Sequence, residues 1–172
     1  MSPAAGTRVQ DLPPFAGHTP PDRERPLGWY ALLISLYSGA VGAFATWFRR
    51  SGRELPERIE APDFALLAVA AHKSARLIAK DRIASPVRAP FTRYQQDGGP
   101  AEAEEAARGR GLRRVLGELI VCPYCLDMWL ATLLTAGLLA APRTTRWVAS
   151  VLAIVTASDA LQIAYRKAQD SL

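Results

Sequence analysis

The sequence predicts an all-α membrane protein: a multi-pass bundle of four transmembrane helices, three being the alternative, with a short amphipathic helix beside the membrane. Two observations carry this expectation. The mean hydropathy is near zero, at +0.02, with 49% hydrophobic residues, but the apolar residues gather into long blocks while Arg, Glu, Pro and Gly fill the intervals. Averages of that kind arise when several spans and their polar loops are summed. The formal charge of +5 also sits in stretches flanking the apolar blocks, as the positive-inside bias requires. A basic patch for nucleic acid would need a soluble fold to display it, so no nucleic-acid partner is expected.

Residues 1–26 hold six prolines and no apolar period, and read as a flexible tail in which His18 has no assigned role. Residues 27–48 then run for 22 positions without a charge. At about 1.5 Å per residue this crosses a hydrocarbon core of roughly 30 Å. Trp29 and Trp47 bracket it as interfacial anchors, and Arg49 and Arg50 stop it. Ala43-Phe44-Ala45 fits a signal-cleavage pattern, but the apolar run is long for a signal peptide, and an uncleaved span is expected.

Residues 62–82 open with Pro62 and Asp63, suited to a helix start, and stay apolar to Ala71. Beyond that point His72, Arg76 and Lys80 recur at helical spacing with Lys73 beside them. Charges of this kind belong near a membrane surface, so the segment is a weaker span whose rival is a surface helix. Ser85-Pro86 and Ala89-Pro90 are expected to end helical structure. Residues 83–111 read as a cytoplasmic loop in which an acidic run and the arginines from Arg108 onward are solvated and partly compensate. Residues 112–121 follow as an amphipathic helix at the membrane surface. Residues 123–141 and 147–165 then form a helical hairpin across a tight turn at 142–146, with Trp129 and Trp147 at headgroup depth.

With four spans, the side holding residues 83–121 and both termini carries 13 Lys and Arg against 6. With three spans the ratio is 16 to 5. Both place that segment and the carboxyl terminus in the cytoplasm of a bacterial cell.

Arg76-Leu77, Asp81-Arg82, Arg88-x-Pro90-Phe91, Gly117-Glu118, Cys122, Cys125 and Trp129 together resemble an uncharacterised bacterial membrane-protein family, domain of unknown function 1360. The likeness covers about residues 62–165, and the chain departs from the family's small residue at Asp127. It implies that residues 62–82 form a span and that the first span is an added element. The family implies no activity.

Cys122-Pro123-Tyr124-Cys125 matches the dithiol of glutaredoxins letter for letter, yet a thioredoxin-like site needs a preceding strand, and here an amphipathic helix leads in. Three roles stay open. A surface dithiol could cycle between thiol and disulfide, with Cys122 at a helix N-cap as nucleophile and Cys125 beside it. The pair could be half of a zinc or iron site completed by His72, Asp127 or a second subunit. Or the cysteines are small packing residues. Asp159 lies inside the last apolar block and is expected to face Arg76, Lys73 or His72, with Gln162 as a further partner. The role expected overall is a non-enzymatic membrane interaction or assembly factor, whose partners are the bilayer and a second copy or other membrane proteins. A thiol or metal-dependent protein comes second and ion or proton-coupled transport third. Enzymatic status is left open.

Overall fold

The computed structural model describes residues 25–171, so the expected tail, apart from its last two residues, and His18 lie outside it. In chain order the elements are α1 (Leu27–Arg50), α2 (Ala61–Ala79), a 3-10 turn (Arg82–Ala84), α3 (Ser85–Arg88), β1 (Thr92–Asp97), β2 (Ala103–Ala107), α4 (Gly111–Val121), α5 (Pro123–Ala140) and α6 (Pro142–Asp170).

Helix ends follow local chemistry. Pro62, Pro123 and Pro142 each stand in a first helical turn, where the missing N–H costs nothing. Arg49 and Arg50 close α1, where cations suit the negative end of the helix dipole. The turn expected at 142–146 is instead helical: Ala141 alone breaks the chain, and Pro142 starts α6 at once. The residues Arg143 to Arg146 are polar but good enough helix formers, so helicity extends beyond the apolar block.

Successive long helices run antiparallel. At one end Arg146 holds Asp63 through two hydrogen bonds of 2.8 and 2.7 Å, tying the start of α6 to the start of α2. There too Arg53, just beyond α1, donates to the Ala140 carbonyl at the end of α5. α2 lies against both α5 and α6, while α1 rests on α4 and α5. The core is built largely from alanine: Ala70 and Ala149 with Leu67, then Ala75 and Ala79 with Leu126. Small residues let helix backbones approach closely, the usual means of association where lipid removes the hydrophobic drive. Gly137 serves the same purpose, since a Cβ there would lie 2.7 Å from the Thr145 hydroxyl.

Outward, Leu133, Val151, Ile154, Leu161 and Ile163 are each more than half exposed. Three helices, α1, α5 and α6, are long and apolar enough to cross a membrane. α2 is comparable in length to α5, but Asp63, Lys73 and Arg76 lower its apolar character.

The all-α expectation is corrected by the segment 83–111, which is ordered. β1 and β2 form an antiparallel hairpin with an irregularity between Tyr94 and Gln96. Its turn runs Gly99-Pro100-Ala101-Glu102, closed by a 2.9 Å bond from the Glu102 amide to the Gly99 carbonyl, with Ala101 at a φ of 63°. Such a turn demands positive φ at its third position, an uncommon state for alanine. Pro86 does not end helical structure; it sits in the first turn of α3. Together the 3-10 turn, α3, the hairpin and α4 make a cap over the end of the bundle where α2 finishes.

Candidate functional site

The densest polar constellation lies under that cap. Arg88 is fully buried, and its guanidinium donates to the carbonyls of Ile78 and Asp81 at 2.8 and 2.9 Å, to the Ser85 hydroxyl at 3.0 Å and to Glu105 at 2.7 Å. Only its Nε lacks a partner. The Ser85 and Thr92 hydroxyls donate to the two Glu105 oxygens. Burial alone would raise the Glu105 carboxyl, but bonds from Arg88, Thr92 and Ser85 and the adjacent positive charge outweigh it and bring its pKa down to about 2. One arginine thus joins the end of α2, α3 and β2.

Around this pair the strand's alternation sorts the acidic run. Ala103, Glu105 and Ala107 occupy one phase of β2; Glu102 and Glu104 occupy the other. Glu102 pairs with Arg76, and Glu104 lies 2.7 Å from Lys80. Backbone bonds from Ala103 to Lys80 and from Arg82 to Ala101 stitch the hairpin to the end of α2. The acidic run is therefore not a solvated loop compensated by the arginines from Arg108 onward: it neutralises α2. α4 crosses the hairpin at Gly117, where a Cβ would lie 2.5 Å from the Phe91 carbonyl, so only glycine fits.

Deeper in the bundle, Lys73 Nζ lies 2.9 Å from Asp159 and 4.0 Å from Asp81. Of the three bases expected near Asp159, Lys73 is brought to it, Arg76 is engaged by Glu102, and His72 is exposed. Gln162 is exposed one turn further along α6. Trp29 approaches Gly111 at the start of α4, and Trp129 packs edge-on against Tyr37 with ring centres 5.0 Å apart. Trp47 and Trp147 are largely exposed.

Cys122 and Cys125 are free thiols. Cys122 takes the N-cap position of α5, and its sulfur accepts the Cys125 amide at 3.2 Å, a structural use in which the thiol stands in for a capping hydroxyl. Among the described residues no group of three or more His, Cys, Asp or Glu is placed to hold a metal ion, and neither His72 nor Asp127 completes a site with the cysteines. Asp127 leaves one buried carboxylate oxygen without a hydrogen-bond partner. Arg88, Glu105, Ser85 and Thr92 were missed as a unit by reading the sequence; the signal that could have found them is the Arg88-x-Pro90-Phe91 segment, conspicuous only through its family resemblance.

The comparisons agree with that resemblance. Residues 66–165 match a family described as protein of unknown function (DUF1360). The chain is 32% identical over 92 residues to the sporulation protein YjcA of Bacillus subtilis (strain 168), covering 52% of this chain and 78% of that protein. No solved structure matches. The chain belongs to the DUF1360 family.

Proposed function

For a member of this family of unknown function, we propose a non-enzymatic role: a bacterial membrane protein of four spans whose cytoplasmic cap is a rigid platform for assembling other membrane components. The observation that carries it is how the polar groups are used. Arg88 with Glu105, Arg76 with Glu102 and Lys80 with Glu104 are paired where the cap meets the end of α2, and Lys73 with Asp159 deeper in the bundle, so these charges go into holding the structure's shape. Four spans are supported by α2 lying against both α5 and α6, antiparallel to the first and parallel to the second, over about 28 Å, the length of a hydrocarbon core. Pairing with Asp159 removes much of the cost of placing Lys73 at that depth, while Arg76 and Lys80 meet Glu102 and Glu104 at the cap end of the helix. The excess of Lys and Arg on its side supports a cytoplasmic position for the cap.

The likeness to a sporulation protein supports a developmental rather than a metabolic setting. Expression in Bacillus subtilis lacking YjcA tests this. The wild-type chain and a C122S/C125S variant should restore spore yield equally, while Arg88→Ala, which breaks the cap, should not. Failure of the wild-type chain when present in the membrane would contradict the developmental role, and failure of the double serine variant alone would contradict the non-enzymatic one.

A further inference from the structure

A groove of about 460 Å³ runs between α1, α4 and α5, apart from the buried charges of the cap. Its walls are Leu33, Ile34, Tyr37, Leu119, Met128 and Trp129, and its volume lies within the about 300–1,000 Å³ of small-molecule sites. Ile34 and Met128, half exposed or more, open it sideways onto the apolar surface of α1 and α5. If those helices cross the membrane, what reaches it arrives through the bilayer.

The mouth differs from the walls. Tyr30 donates to Glu118, which also accepts Arg114 Nε at 3.0 Å, so the carboxylate in the groove is neutralised where it stands. Trp29 touches Gly111, bringing the start of α1 against the start of α4. Arg25 and Arg110, both exposed, therefore gather around the same end, while Arg113 is turned away to the Pro90 carbonyl. An apolar slot entered from the bilayer, with a net positive mouth at headgroup depth, has the polarity of an acidic lipid. We propose that this groove binds one anionic phospholipid, an acyl chain lying along Leu33 and Met128 and the phosphate taken by the arginines at the mouth.

This rests on α1 and α5 being embedded, so the test separates the two claims. The full chain would be purified in detergent and examined by native mass spectrometry with phosphatidylglycerol or phosphatidylcholine at equal concentration. One phosphatidylglycerol should be retained where phosphatidylcholine is stripped. Arg25→Gln and Arg110→Gln, at exposed positions, should each cut that preference roughly fivefold, as one basic residue near an acidic headgroup implies. Met128→Trp should fill the slot and abolish retention, while Leu161→Trp on the exposed face of α6 should leave it unchanged. Equal retention of both lipids, or retention undisturbed by Met128→Trp and both arginine variants, would overturn the proposal. A chain that remains soluble without detergent would overturn the membrane reading instead.

Discussion

Cys122-Pro123-Tyr124-Cys125 and the Arg88–Glu105 pair stand at opposite extremes of conspicuousness. The first is a motif that anyone would stop at, yet its thiols are free, Cys125 is exposed, and the Cys122 sulfur does no more than cap a helix. The second has no motif, yet its guanidinium is inaccessible and its carboxylate is 5% exposed, the one donating to, and the other accepting from, groups on four surrounding segments. A side chain's chemical reputation is a poor guide to its role here; the number of elements that converge on it is a better one.

If that contrast is right, substitutions should rank by it. Arg88→Ala strands Glu105 in the interior, and loss of one partner of a buried pair costs about 3–5 kcal/mol. Thermal unfolding in detergent, followed by helix circular dichroism, should show the largest drop of any variant, and trypsin should cut the hairpin early. Gly117→Ala drives a methyl into the Phe91 carbonyl and should cost about 1–3 kcal/mol, measured the same way. Asp159→Asn leaves Lys73 only the more distant Asp81, and a loss of about 1 kcal/mol is expected. At the bottom, C122S/C125S should fall within about 0.5 kcal/mol of wild type, because serine caps a helix at least as well as cysteine. A cysteine pair more costly to replace than Arg88 would invert the comparison.

Acid sharpens the same contrast. Glu105 titrates lower in the fold than in the unfolded chain, so its contribution is complete above the ordinary value of 4.5 and disappears as pH falls through about 2. Cap protection against protease should therefore hold from neutrality to about pH 4.5 and fail near 2, and Glu105→Gln should remove that dependence.

Much of the scaffold was legible. Leu27–Arg50 and Pro123–Ala140 fall within two residues of the apolar blocks that announce them, since charge and proline both stop a span and end a helix. The last helix was underestimated at both ends, because hydropathy marks the part that meets lipid and not the part that stays helical. The hairpin was invisible for a different reason. Its strands read TRYQQD and AEEAA, Ala and Glu are weak strand formers, and one phase of β2 runs Ala103-Glu105-Ala107, with a charge where burial predicts an apolar residue. Only Arg88, 17 positions earlier, makes a buried glutamate sensible, and only the basic end of α2 draws Glu102 and Glu104 into place. Pairings of that range are tertiary facts.

The most direct test of a cytoplasmic, structurally committed cap beside idle thiols is labelling Cys122 and Cys125 with a membrane-impermeant maleimide, in intact cells and in inverted vesicles, with and without reductant and chelator. Labelling confined to inverted vesicles, and unchanged by either additive, is the predicted result. Labelling of intact cells would contradict the orientation, and a requirement for reductant or chelator would return the cysteine pair to chemistry.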